Sequence, residues 1–262
     1  MSFDAPAGLA AFDLTGRLAL VTGSSQGIGR ALAEGLAGAG ATVVVHGRDS
    51  EKAANAAADI RRATGRETHS LTFDITDATA VDDGIAAIEA DLGVPDILVN
   101  NAGLQRRSPI TEFSDADWED LLRTNLSSVF YLSRRVARGM VQRGSGKLIQ
   151  IGSVQSQLAR PSIAPYSATK GAIVMFTKGL CADLAGAGIQ ANAIAPGYFA
   201  TELTRALVDD QVFSEWVRGR TPAGRWGDVR DLVGAAVFLA SSASDFVNGQ
   251  TLFVDGGMTA VV

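Results

Sequence analysis

The feature that most constrains this chain is an alternation that runs nearly its whole length. Short β-branched or aliphatic runs are each followed by a longer, Ala-rich stretch of helical period. The runs predicted as strands are residues 18–22, 42–46, 68–73, 97–100, 147–151, 190–195 and 251–254. Most are almost entirely apolar, as a strand covered on both faces must be. Helices are predicted between them at 27–38, 50–64, 77–92, 115–143, 164–185 and 228–240. Ser114 with Asp117 and Asp228 with Asp231 have the spacing of helix N-termini, and Gly40 and Gly93 follow helix ends. Strands joined by crossover helices predict an α/β fold: a Rossmann-type, doubly wound sheet of seven mostly parallel strands with helices on both faces. The one break is the excursion 196–225, predicted to be a small helical lid beside the substrate. Residues 1–262 thus read as one domain carrying a lid.

Composition removes several classes of function. With 47% hydrophobic residues the chain is neither disordered nor low-complexity. A net charge of −5 without any Lys/Arg block gives nucleic acid no electrostatic hold. Cys181 is the only cysteine, inside a predicted helix, and reads as a packed thiol. The two histidines, His46 and His69, lie far apart, so neither a metal site nor a Ser-His-Asp triad is expected. Residues 1–16 carry Asp4 and Asp13 and no basic start, unlike a signal peptide. No apolar run approaches the ~20 residues that span a bilayer. The expectation is a soluble, cytoplasmic protein with no membrane partner.

The motifs point to redox chemistry. Strand 18–22 runs into Gly23-Ser24-Ser25-Gln26-Gly27-Ile28-Gly29 and then a helix. Glycines there permit a tight turn and close approach of a pyrophosphate, and the helix start offers unpaired N–H groups. After the second strand, where an acid would bind the ribose of NAD, stands Arg48. A guanidinium suits the 2′-phosphate of NADP, although Asp49 beside it could neutralise it. Tyr166 and Lys170 share one helix face, a turn apart. An ammonium beside a phenol favours the phenolate, and about 3–4 kcal/mol of such preference would make it a base near neutral pH. Ser153, just past the fifth strand, belongs at the mouth of the site, as do residues 100–103 after the fourth. Asn125 sits inside the long helix 115–143, an unusual place for an amide.

Taken together these residues resemble the short-chain dehydrogenase/reductase family over essentially the whole chain. Its glycine turn matches 22–29, its NNAG segment 100–103, and its catalytic set Asn125, Ser153, Tyr166 and Lys170. The resemblance implies cofactor contacts at Gly23, Ser25, Gln26, Gly27, Ile28 and Gly29, at Arg48, Asp74 and Ile75, and at Asn101, Ala102 and Gly103. Further contacts are implied at Tyr166, Lys170, Pro196, Gly197, Phe199 and Thr201. The implied cofactor is NADP, with NAD possible because Gln26 stands where NADP users often carry a basic residue.

Within the family, segments 101–109, 153–161, 195–202 and 220–227 resemble gluconate 5-dehydrogenases. That implies a small-molecule partner, a sugar acid such as gluconate or 5-ketogluconate. Arg107 and Arg160 would meet its carboxylate, and Gln155, Tyr198 and Ser153 its oxygens. Phe199, Leu203 and Leu207 keep open a more apolar substrate, as in a 3-oxoacyl-(acyl-carrier-protein) reductase or another short-chain ketone reductase. The intact catalytic set argues against a non-catalytic nucleotide-binding protein. By the same resemblance Lys170 also binds ribose, Asn125 holds a water in a proton relay, and the chain assembles as a homotetramer through its long helices.

Overall fold

The computed structural model describes residues 8–262. Residues 1–7 of the segment read above as unlike a signal peptide lie outside the described residues. Seven strands form a single parallel sheet: β1 (Leu18–Val21), β2 (Thr42–Gly47), β3 (Thr68–Thr72), β4 (Ile97–Asn100), β5 (Gly146–Ile151), β6 (Ile189–Pro196) and β7 (Thr251–Val254). Their order is β3-β2-β1-β4-β5-β6-β7, so the winding reverses between β1 and β4. A crevice opens at such a reversal, beyond the carboxyl ends of the strands.

The helices are α1 (Gly27–Gly38), α2 (Ser50–Thr64), α3 (Ala78–Asp91), α4 (Asp115–Leu122), α5 (Ser128–Arg143), α6 (Ala164–Leu184), α7 (Arg205–Val208), α8 (Gln211–Arg220) and α9 (Val233–Ala240). Successive strand residues point to opposite faces. Ala19, Val21, Val43, Val45 and Val99 therefore pack against Leu32, Leu36, Ile60 and Leu239 of α1, α2 and α9. Leu18, Leu20, Val44, Leu98 and Leu148 pack against Ile85, Leu132, Met140 and Leu180 of α3, α5 and α6. Both layers are nearly dry, which explains the continuous apolar runs of the central strands. The edge strand β3, sequence THSLT, alternates instead.

Helix starts follow the chemistry of the caps. Asp49, Asp77 and Ser114 accept hydrogen bonds from Lys52 N, Thr79 N and Asp117 N, and Asp228 with Asp231 forms a reciprocal capping box. Two expectations need correction. The helix expected over 115–143 is α4 and α5 separated by a π-helical turn, Arg123–Ser127. The helix expected over 228–240 opens with a 3-10 turn, Val229–Leu232, before α9.

The excursion after β6 carries a 3-10 turn (Glu202–Thr204), α7 and α8, and returns where Phe199 pairs with Gly227 in a parallel bridge. Its inner side is an aromatic cluster: Tyr198 lies edge-on to Phe213, Trp216 and Trp226, with ring centroids 5.7, 5.7 and 5.8 Å away. Among the described residues no helix is long and apolar enough to cross a membrane. No group of His, Cys, Asp or Glu among them could hold a metal ion.

Candidate active site

A cleft of about 760 Å³ follows the carboxyl ends of the strands. The site residues singled out from the sequence line it except Asn100 and Asn125, which are buried behind its wall.

At one end lies the glycine-rich turn. Gly23 has φ +62°, the left-handed region that side chains disfavour, and a Cβ there would sit 2.9 Å from Ala102 Cα. A Cβ on Gly29 would lie 2.4 Å from both Gly23 O and Asn101 Nδ2, so only glycine lets the helix start this close to the turn. The turn is braced from β4: Thr22 Oγ1 accepts from Asn101 N (3.0 Å) and Ala102 N (3.1 Å). Asn101 Nδ2 donates to Thr22 O and Gly23 O. His46 braces it from β2. Gly23 N donates to Nδ1 (3.4 Å), and Nε2–H donates to Phe73 O (3.0 Å). The bond accepted at Nδ1 requires the neutral ring, and burial pushes its pKa down to about 4.

The residues present suit a dinucleotide. Unlike α2, α3 and α4, α1 has no side-chain cap: Gln26 stands at its N-cap position without bonding the first N–H groups. Those donors, the helix dipole and the close approach at Gly29 form a phosphate cradle. Further along, Asp49 caps α2 and pairs with Lys52 rather than neutralising Arg48, as it was expected it could. Exposed Arg48 instead bears on Asp74, whose carboxylate is held below its usual range by hydrogen bonds from the backbone and hydroxyl of Thr76, with Arg48 adding to the effect. Ile75 beside it is buried. At the far end Gly197 N donates to Val254 O, and a Cβ on Gly197 would meet Asp255 at 2.8 Å. Thr201 N donates to Thr204 Oγ1, which donates in turn to Phe199 O.

In the middle stand Ser153, Tyr166 and Lys170. Ser153 Oγ accepts from Gln155 N (3.1 Å), which leaves its own proton for the cleft, and its hydrogen bond to Tyr166 favours the phenolate. Burial nonetheless pushes the Tyr166 phenol above its ordinary value, while Ser153 and the charge of Arg107 pull against it. Lys170 stands one turn further along the same helix. Its Nζ donates to Ile151 O (2.7 Å) and lies 5.8 Å from the Tyr166 ring centroid, and burial brings its own pKa down to about 8.

Asn125 is fixed by its side chain. The π turn directs its amide inward, where Oδ1 accepts from Leu104 N (2.8 Å) and Nδ2 donates to Leu104 O (2.9 Å) and Thr169 Oγ1 (3.3 Å). These bonds occupy the side chain, so a water relay at this residue would run through its backbone.

On the outer side, Arg107 and Arg160 face the cleft from different loops. Arg107 is held by Gln105 Oε1 through Nε and Nη2, and Arg160 lies over the Phe213 ring at 5.5 Å. Burial, and then the like charge of Arg160, hold the Arg107 guanidinium below its usual range. Among the described residues neither makes an ion pair with a carboxylate, whereas adjacent Arg106 pairs with Asp117 and Asp120. Gln155 Nε2 reaches Tyr198 OH at 3.4 Å. Sequence reasoning passed over Thr22 and His46 as braces, and Phe213, Trp216 and Trp226 as a wall. Two tryptophans ten positions apart, one inside the excursion and one just past its end, were the available signal.

A nucleotide cradle at the switch point and a phenol beside a buried amine at the next strand ends describe nucleotide-dependent oxidoreductases, and the chain belongs to the short-chain dehydrogenase/reductase family. The family model that matches, over residues 23–259, is described as enoyl-(acyl carrier protein) reductase. The chain is 57% identical to gluconate 5-dehydrogenase of Gluconobacter oxydans over 248 residues, covering 95% of this chain and 96% of that one. It is 49% identical to 5-keto-D-gluconate 5-reductase of Escherichia coli over 251 residues, covering 96% and 98%. A gluconate 5-dehydrogenase from Burkholderia cenocepacia, solved in complex with NADP and tartrate, superposes with a TM-score of 0.94 at 59% identity, covering 96% of this chain and 98% of that one.

Proposed function

We propose that this chain is an NADP-dependent oxidoreductase that reversibly interconverts gluconate and 5-ketogluconate. The observation that carries the reading is the pair Arg107 and Arg160. Two cations face the cleft beside Tyr166 and Ser153, and among the described residues neither pairs with a carboxylate, a setting suited to a substrate anion. The names of the relatives support it.

Bound in the cradle, NADP(H) supplies or accepts the hydride. The chain's residues handle the oxygen. Ser153, whose oxygen is already engaged by Gln155 N, donates its proton to the substrate oxygen and orients it. Tyr166, whose phenol burial keeps protonated at neutral pH, donates its proton to that oxygen in ketone reduction and removes it in alcohol oxidation. Oxidation therefore gains more from rising pH than reduction does. Lys170, anchored on Ile151 O, holds an ammonium at the cofactor side of the phenol and suits ribose hydroxyls. Asn125 is a positioning residue that ties the π turn to Leu104 and to the Thr169 hydroxyl, itself bonded to Tyr166 O. Arg48 favours NADP over NAD. Gly23, Ser25, Gln26, Gly27, Ile28, Gly29, Asp74, Ile75, Asn101, Ala102, Gly103, Pro196, Gly197, Phe199 and Thr201 complete the cofactor's surroundings.

The reading includes one nucleotide-binding domain, with the excursion 196–225 as its lid, working in the cytoplasm. It includes a homotetramer: exposed Phe130 and Met175 on α5 and α6, and Gly171 and Gly179 with open space outside them, suit close helix contacts. The test is a panel of gluconate and 5-ketogluconate against acetoacetyl thioesters, each with NADP(H) and NAD(H). Turnover of the sugar acids with NADP(H) at least ~100-fold above the thioesters is expected. Preference for the thioesters would overturn the reading in favour of acyl reduction.

A further inference from the structure

The inner wall of the substrate side contains two polar atoms that have no partner among the described residues. Gln155 is 8% exposed, and its Oε1 is buried and accepts no hydrogen bond. Arg160 Nε is buried and donates none. The two side chains converge on Tyr198: Gln155 Nε2 reaches its hydroxyl, and Arg160 acts on the same group. An unpaired buried carbonyl costs about 1–3 kcal/mol, and an unpaired N–H of a charged group costs more. In the ligand-free fold this wall is therefore less favourable than an apolar wall of the same shape.

We infer that Gln155 is a specificity-determining residue, whose side-chain oxygen accepts a hydrogen bond from a hydroxyl on a carbon beside the reacting one. The inference rests on the sugar-acid reading above. The position follows from the chain. Gln155 lies in the 3-10 turn Val154–Ser156, and its backbone N–H is bonded to Ser153 Oγ, so its side chain is anchored one step from the oxygen-binding hydroxyl. Arg160 Nε–H asks the same ligand for an acceptor. Each carbon of a polyol offers both donor and acceptor, whereas the methylenes of an acyl chain offer neither. A site of this type rejects a substrate lacking the hydroxyl far more strongly than it rejects one of altered size.

The test compares 5-ketogluconate with 5-oxohexanoate, which keeps the ketone and carboxylate on the same carbons and lacks the hydroxyls. The wild type is expected to favour 5-ketogluconate by ~10³-fold or more in kcat/KM. In Gln155→Met that ratio should shrink by at least ~30-fold through loss on 5-ketogluconate, with 5-oxohexanoate unchanged or improved. The melting temperature without ligands should hold or rise, because an unpaired carbonyl has been removed. A ratio unchanged in Gln155→Met, with both substrates falling together or neither falling, overturns the role of Gln155 while leaving the sugar-acid reading intact. A lower melting temperature with an unchanged ratio makes Gln155 structural only. A wild type inactive on 5-ketogluconate removes both readings.

Discussion

Replacing Lys170 by methionine separates what the fold needs from what the chemistry needs. Lys170 is 6% exposed and makes one hydrogen bond, to Ile151 O. Burial lowers its pKa from 10.5 to about 8. At ~1.4 kcal/mol per pH unit, holding the ammonium in place at neutral pH costs the folded state about 3 kcal/mol. Methionine fills similar space and removes that cost. It also leaves Ile151 O unpaired, at ~1–3 kcal/mol, and gives up the contact with the Tyr166 ring, at ~0.5–1 kcal/mol. Lys170→Met should therefore unfold in urea within about 1.5 kcal/mol of the wild type, while turnover falls by at least ~100-fold.

The pH dependence makes the test sharper. The unfolded chain keeps the lysine proton up to pH 10.5, whereas the folded chain releases it from about pH 8. Wild-type stability thus gains about 3 kcal/mol relative to Lys170→Met as pH rises through that window. Cofactor-free urea unfolding of both proteins at about pH 7.5 and about pH 10 measures this difference directly. A wild-type-minus-variant difference that stays flat would refute the reasoning, and so would a variant more than ~3 kcal/mol less stable at the lower pH.

Other consequences can be checked more briefly. Tyr166→Phe should lower kcat by ~10³-fold or more with NADP affinity within about threefold of wild type, because only the proton carrier is lost; a rate near wild type would end the acid–base assignment. Arg48→Ala should weaken NADP by ~10-fold and NAD by less than about twofold in calorimetry, and equal losses would remove the 2′-phosphate contact. His46, neutral when folded, should make the protein less stable as pH falls from 6.5 to about 4, by about 3 kcal/mol. His46→Phe should lack that component, and identical acid limbs in the two proteins would show that the ring does not stay neutral.

Much of this molecule is legible in its sequence because its central strands are dry on both faces, so that runs such as LALV and ILVN have few alternatives. The glycine turn is legible because backbone geometry at Gly23 and Gly29 excludes every other residue. The π turn is not, because one additional residue barely disturbs the hydrophobic period of 115–143. The bond from Lys170 to Ile151 O is not legible either, because a backbone carbonyl leaves no signature in side-chain spacing. The aromatic wall joins Tyr198 to Trp226 across 28 positions (226 − 198), a closeness that only the folded excursion creates.

The turn at Arg123–Ser127 has a consequence for how this region can change. A one-residue deletion inside it would let α4 and α5 fuse into a single regular rod while the segments on either side keep nearly the same phase around the axis. The inward amide would then leave Leu104 and Thr169 together, so substitutions that keep the count of residues are the only ones this wall tolerates readily.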